Sequence, residues 1–228
     1  MGVIDIQGVT KVYHESEVPV HAVNGVDLSI EHGEFTAIVG PSGSGKTTLL
    51  NIVGGLDTAT DGTVVINGDD IGKLSGRELT KFRLHTIGFV FQAYNLLPVL
   101  SALENTEFVM QLQGRPKPER EARARELLEA VGLGDRIDSR PSRLSGGQQQ
   151  RVAVARALAA KPQFVLADEP TANLDSHSSS NLLDIMARLN ESEQMTFVFS
   201  THDQRVIDRA RRVVTLDDGK VVDDRKAG

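Results

Sequence analysis

The sequence predicts an α/β fold: a strand leads into a glycine-rich loop and a helix, a small antiparallel sheet flanks that site, and a helical segment interrupts the α/β pattern. Three observations predict this. Short apolar runs rich in strand formers alternate with stretches of helical spacing, early in the chain and again after residue 144. One run, Phe35-Thr36-Ala37-Ile38-Val39, leads straight into Gly40-Pro41-Ser42-Gly43-Ser44-Gly45-Lys46-Thr47 and then into an apolar stretch of helical spacing. Between about residues 95 and 143 the strand signals lapse and helical ones take over. The 228 residues therefore read as one domain. Its core and antiparallel part are expected at about 1–94 and 144–228, and an inserted helical lobe at about 95–143.

Taken in order, residues 9–13 and 20–30 are strand-like, with Asn24-Gly25 inside the second. Residues 31–34 turn into the apolar strand 35–39. Thr48, Leu49, Leu50, Ile52 and Val53 continue as a helix that Gly54-Gly55 ends. Residues 62–66 form a strand and Asn67-Gly68 a hairpin turn. Residues 75–84 are polar and helical, and 87–91 is a buried strand ending at Gln92. Asn95-Leu96-Leu97-Pro98-Val99-Leu100 is unusually apolar for a loop. Helical spacing resumes over 101–112. After a linker, residues 119–131 form an amphipathic helix on which Glu119/Arg123 and Glu121/Arg125 set acid before base at i,i+4. A helix over 148–160 stops at Lys161-Pro162, and the strand 164–167 runs into Asp168-Glu169. The helix 178–189 carries Leu182, Ile185, Met186 and Leu189 on one stripe, and the strand 196–200 ends at Thr201-His202. Residues 213–222 form a hairpin about Asp218-Gly219, and the polar tail from Asp223 is expected to fray.

Composition narrows the class. Hydrophobic content of 39% suffices for a core, and the absence of cysteine excludes disulfides, thiolate metal sites and thiol nucleophiles. A formal net charge of -6 argues against bulk nucleic-acid binding. No apolar run approaches the roughly 20 residues that cross a bilayer. The first residues lack a basic leader and an apolar signal core, so an intracellular protein is expected.

The glycine loop has the full G-x-x-x-x-G-K-[ST] spacing between a strand and a helix, the context that a phosphate cradle requires. Glycines let successive backbone N–H groups point inward at phosphate oxygens, and the following helix adds its positive end. Lys46 supplies a cation for the outer phosphates, the Thr47 hydroxyl suits magnesium, and Thr48 continues the site. The strand 164–167 delivers the second half: Asp168 beside Mg²⁺, often through water, and Glu169 as a base for an attacking water. In Leu144-Ser145-Gly146-Gly147-Gln148, Ser145 and Gln148 have capping-box spacing ahead of a helix. Two glycines between them leave N–H groups uncovered, a second anion site at a helix N-terminus.

Leu144-Ser145-Gly146-Gly147-Gln148 resembles the signature of ATP-binding-cassette (ABC) ATPases, and the other motifs follow in that family's order from Tyr13 to His202. The resemblance implies a P-loop NTPase (RecA-like) core with an antiparallel β subdomain and a helical subdomain. It implies that Tyr13 stacks on adenine and that Gln92 senses Mg²⁺ and the attacking water. It also implies that Asp175 lies in a dimer-contacting loop and that His202 contacts the γ-phosphate. Gly54-Gly55-Leu56-Asp57, Phe91-Gln92 with Asn95-Leu96-Leu97-Pro98, Ala102-Leu103-Glu104-Asn105 and Leu166-Ala167-Asp168-Glu169-Pro170-Thr171 resemble the lipoprotein-releasing (LolD-like) and macrolide-export (MacB-like) ATPases. The cell-division FtsE-like ATPases are close kin. Ala172 departs from the glycine frequent there, a change expected to alter kinetics at most.

The family implies a head-to-tail dimer of two copies with ATP between Gly40 to Thr47 of one and Ser145 to Gln148 of the other. Magnesium is then held by Thr47, Gln92 and Asp168, while Glu169, His202, Gln92 and Lys46 carry the hydrolysis. The implied partner is a separate MacB/FtsX-type membrane permease, for lipoprotein, lipid, peptide or drug. The protein is then peripheral on the cytoplasmic face of the inner membrane. The apolar residues around Leu96, Leu97, Val99 and Leu100 are expected either to help form a groove for the permease's cytoplasmic coupling helix or to belong to the helical lobe's own core. The alternative is an FtsE-like mechanotransmission ATPase that transports nothing. ABC-type ATPases of DNA or ribosomes fit less well, given the acidic balance and the lack of a heptad array, and no nucleic-acid partner is expected.

Overall fold

A computed structural model describes residues 2–14 and 19–226. The first two strands, β1 (Ile4–Tyr13) and β2 (Val20–Ile30), pair antiparallel, and β1 pairs on its other side with β4 (Asp61–Ile66). With the short β5 (Asp69–Asp70) they make a four-stranded sheet in the order β2-β1-β4-β5. The strand expected at 9–13 thus begins five residues earlier, at Ile4. Register shifts on both sides of β1, around Gly8 at φ +57°, break its alternation and hide it in the sequence.

The second sheet has six strands. They are β3 (Phe35–Val39), β6 (Ile87–Val90), β7 (Phe164–Asp168), β8 (Thr196–Thr201), β9 (Arg212–Asp217) and β10 (Lys220–Lys226), in the order β10-β9-β3-β8-β7-β6. All neighbours are parallel except β9 and β10. The period of two explains the sandwich. Phe35, Ala37, Val165, Ala167, Phe197 and Phe199 face one apolar cluster; Ile38, Phe164, Leu166, Val198 and Val214 face another. Both faces are covered, so the central strands read as unbroken apolar runs. Burying each of these large side chains contributes roughly 1.5–3 kcal/mol.

One face carries α1 (Lys46–Val53) and the four-stranded sheet; α2 (Gly76–Thr86) precedes β6. The other face carries α3 (Ala102–Leu112), α4 (Lys117–Ala130), α5 (Gly146–Ala159) and α6 (Ser176–Glu193). A one-turn helix, α7 (Gln204–Ile207), follows β8. Between β6 and β7 every described element is helical, and α3 and α4 both pack on α5. Among the described residues three helices begin with a serine capping box: Ser75 with Glu78, Ser101 with Glu104, and Ser145 with Gln148.

Two local expectations are corrected. The acid-before-base pairs give way to others: Glu119 pairs with Arg115, just ahead of α4, and Glu121 with Lys117, while Arg123 turns to Glu126 at 3.1 Å and to Glu193 on α6 at 2.7 Å. The tail is not frayed over 223–226: it completes β10, where Asp224 takes two hydrogen bonds from the buried Arg212 at 2.8 and 2.7 Å. Ala227 and Gly228 lie outside the described residues.

Candidate nucleotide site

Four parallel strands, β3, β8, β7 and β6, lie side by side, and each ends at a residue singled out in the sequence. The glycine loop follows β3, His202 follows β8, Glu169 follows β7, and Gln92 lies two residues past β6. Open α/β sheets bind ligands at these carboxyl ends. Here they border a cavity of 650 Å³ lined by Pro41, Ser42, Gly43, Gly45, Lys46, Thr47, Thr48, Gln92, Glu169 and His202, with Val20, His21 and Ala22 of β2 and Ala172.

The loop is built for close approach. A Cβ at Gly40 would lie 2.0 Å from the Leu216 carbonyl oxygen, and one at Gly45 2.1 Å from that of Ala22, with φ at +153° and +96°. Beyond Gly45, α1 starts with no side-chain cap, whereas Ser75, Ser101, Ser145 and Asp175 cap other helices. Its first N–H groups and dipole are open to an anion. The loop is held from behind: the Gly219 N–H donates to the Ser44 carbonyl at 3.1 Å, and Asn24 binds the same β9–β10 turn through Gly219 and Asp218. We predict that Gly45→Ala weakens ATP binding more than about 100-fold, because the methyl must displace backbone. Gly43→Ala meets nothing within 4 Å and carries only the strain of φ +82°, about 1–2 kcal/mol. Nucleotide titration and thermal melting of both variants check this; equal losses contradict it.

The polar groups are arranged as a set. The Lys46 ammonium donates to the Gly40 and Pro41 carbonyls, 2.9 Å each. The Thr47 hydroxyl donates to Asp168 Oδ1 at 3.1 Å. Glu169 Oε1 lies 2.7 Å from His202 Nδ1, and the Thr201 hydroxyl donates to Glu169 Oε2 at 3.1 Å. Glu169 itself sits at φ +44°, uncommon for a residue other than glycine. Among the described residues no three His, Asp or Glu cluster as a cage. A hydroxyl touching a carboxylate, with the Gln92 amide on the same cavity, fits magnesium, which binds through few protein oxygens plus water and phosphate.

The other sequence-marked residues stand elsewhere. Ser145, Gly146, Gly147 and Gln148 do not line this cavity. Ser145 Oγ accepts from the Gln148 N–H at 3.3 Å, so the helix end is partly self-capped and only the glycine N–H groups stay uncovered. A Cβ at Gly146 would come 2.7 Å from the Tyr94 hydroxyl, the movable end of a side chain. Asp175 caps α6 through the Ser178 N–H at 2.9 Å, and hydrogen bonds from Ser178 hold its carboxyl below the usual range. Tyr13 also lies off the cavity lining. Its hydroxyl donates to Asp57 at 2.7 Å, Lys11 Nζ sits 4.8 Å from its ring centre, and burial and the Asp57 bond push its phenol up.

Several site residues carried no signal in the sequence. The loop after β6 has its carbonyls captured one by one. Gln150 binds that of Phe91 at 3.3 Å, Asn173 that of Gln92 at 3.0 Å, and Arg156 those of Tyr94 and Asn95 at 2.9 and 2.5 Å. The apolar turn 96–100 is closed by the buried Asn105, whose side chain bonds Leu97, Leu100 and Ser101. It does not line the neighbouring groove. That groove, of 600 Å³, runs between α2, β6, α3 and α5 and is lined by Phe89, Phe91, Phe108, Val109 and Leu112, with Arg83 and Arg156.

A phosphate loop, a hydroxyl–carboxylate pair and a glutamate–histidine couple at adjacent strand ends define a P-loop NTPase. Its likeness to known proteins places it within that class. The family described as ABC transporter matches residues 23–172, and the chain belongs to that family. It is 49% identical over 219 residues to an uncharacterized ABC transporter ATP-binding protein of Thermotoga maritima, covering 96% of this chain and 93% of that protein. It is 46% identical to the lipoprotein-releasing system ATP-binding protein LolD of Anaeromyxobacter dehalogenans, over 97% and 93%. It is 45% identical to the macrolide export ATP-binding/permease protein MacB of Aggregatibacter actinomycetemcomitans, where it covers 98% of this chain but 35% of that protein's length. Among solved structures, the dimeric post-hydrolysis state of the ATP-binding cassette MJ0796 bound to ADP and Pi superposes with a TM-score of 0.90. It is 43% identical over 99% of both chains.

Proposed function

We propose that this chain is the ATP-hydrolysing subunit of an ABC transporter, acting as a pair of copies on the cytoplasmic face of a membrane beneath a separate permease of MacB/FtsX type. One observation carries the reading. Lys46, Thr47, Gln92, Glu169 and His202 border one cavity, with Asp168 bonded to Thr47, while Ser145 to Gln148 stand away from it. The second phosphate-binding helix end then serves the cavity of another copy. The dimeric MJ0796 cassettes support this arrangement.

The chain's own groups divide the work. The triphosphate lies along residues 40–47, and Lys46 exchanges two loop carbonyls for phosphate oxygens, which are stronger acceptors. Thr47, Asp168 and Gln92 hold magnesium, which when bound offsets the charge on the phosphate oxygens. Glu169 orients the attacking water and takes its proton. His202 leaves Glu169 to contact the γ-phosphate. Ser145 and the Gly146 and Gly147 N–H groups of the second copy close over the same phosphate, and Asp175 lies in the loop between copies. Tyr13, braced by Asp57 and Lys11, flanks the base. Hydrolysis removes the charge that bridges the copies, and the dimer loosens.

The groove beside β6 suits an apolar helix of the permease. Leu112, 57% exposed, stands at it, and the β6 loop that carries Gln92 forms one wall. No helix among the described residues is long and apolar enough to cross a membrane. MacB and LolD relatives favour a transporter over the FtsE-like alternative. The test is phosphate release from ATP by the purified protein, with the permease captured from membranes. Lys46→Ala loses hydrolysis, whereas Leu112→Glu keeps the basal rate and loses the permease. Leu112→Glu that still captures a MacB/FtsX-type protein overturns the docking site, and a native chain that never splits ATP overturns the reading.

A further inference from the structure

We propose that Thr201 is a positioning residue for Glu169: its buried hydroxyl fixes one carboxylate oxygen, leaving the other free to change partners. The inference rests on the reading above, in which Glu169 activates water. The two oxygens of Glu169 have unequal partners. Oε2 accepts from Thr201 Oγ1 at 3.1 Å, and Oε1 faces His202 Nδ1 at 2.7 Å. Thr201 is wholly buried and belongs to β8, where it pairs with Val39 of β3. His202 lies past the strand end with its side chain 75% exposed. Thr201 is therefore fixed by the sheet, while His202 can turn away without disturbing the fold.

The hydroxyl is aimed. The Asp203 N–H donates to Thr201 Oγ1 at 3.0 Å, which leaves the hydroxyl proton for Glu169. Asp203 is held in turn. The Thr171 hydroxyl donates to its Oδ2 at 2.6 Å and the Arg205 guanidinium to both oxygens. Those Arg205 bonds are the main force pulling the Asp203 carboxyl down to about 2, so it stays charged. Thr171 is two residues past Glu169 and Asp203 two past Thr201, so the turns after β7 and β8 are latched side chain to side chain. The latch clamps a backbone that needs clamping, because Glu169 at φ +44° carries strain of about 1–3 kcal/mol. When His202 moves to phosphate, Oε1 opens to water and Oε2 stays bound, so the carboxylate does not swing.

The test uses the full purified chain and phosphate release across ATP concentrations. Thr201→Val keeps the shape and removes the hydroxyl; kcat is expected to fall about 10- to 100-fold, with KM for ATP within about twofold of native. Thr201→Ser, which restores the hydroxyl, is expected within about threefold of native kcat. Should Thr201→Val fail to fold, Thr201→Ala against Thr201→Ser isolates the hydroxyl, since both lose the methyl. Native kcat in Thr201→Val, or equal losses in the Ser and Ala variants, overturns the proposal. Glu169→Gln run alongside separates the two failures. If it turns over normally, the reading of Glu169 falls and takes this inference with it; if it is inactive while Thr201→Val is native, only the role of Thr201 is lost.

Discussion

Glu169→Gln will bind ATP as the native chain does, lose hydrolysis by about 100- to 10,000-fold, and accumulate as a dimer that forms only with ATP. The substitution is nearly isosteric. The glutamine carbonyl can still accept from Thr201, and the residue's own N–H bond to the Ser200 carbonyl, 2.9 Å, does not involve the side chain. The turn at φ +44° should therefore persist. What disappears is a basic oxygen at the mouth of the cavity, next to His202. Lys46, Thr47 and Asp168, the residues proposed to hold the phosphates and magnesium, are untouched, so affinity is expected to survive while the chemical step does not. Without that step the bridging triphosphate stays, and so does the dimer. Phosphate release and light scattering with and without ATP measure the two effects; normal turnover in this variant would remove Glu169 from its role.

Ser145→Arg will abolish hydrolysis while leaving ATP binding by a single subunit intact. Ser145 is exposed and lies outside the cavity of its own chain. Losing its cap on α5 costs about 0.5–2 kcal/mol, which a folded cassette can absorb. A long arginine at this helix end blocks the face that must approach another copy's phosphate. The expected result is an ATP affinity within about twofold of native and a rate at background. Hydrolysis by a strictly monomeric Ser145→Arg protein would mean that one chain suffices.

Much of this architecture is legible in the chain because its causes are local. The strands β3, β7 and β8 announce themselves as apolar runs since both faces of the sheet are covered. The glycine loop announces its strained backbone. Ser75, Ser101 and Ser145 announce helix starts because their partners lie three residues away. The rest depends on partners far along the chain. Tyr13 reads as a free aromatic until Asp57, 44 residues on, takes its hydroxyl. On α4, Arg123 turns in part to Glu193, 70 residues beyond it. Thr201 reads as strand filler until the sheet sets it beside Glu169, 32 residues earlier. The tail from Asp223 is polar by composition, yet Arg212 folds it into the sheet. Spacing rules see neighbours within a turn or a hairpin, and these pairings are made by the fold.

The central claim is that one triphosphate is enclosed by halves of two chains. The protein has no cysteine, so single cysteines report cleanly. Chains carrying Ser42→Cys are mixed with chains carrying Ser145→Cys, both in the Glu169→Gln background, and oxidised with and without ATP. A disulfide joining the two kinds of chain, formed with ATP and absent without it, is the predicted result. No such product under ATP, in a protein that still binds the nucleotide, would contradict the account.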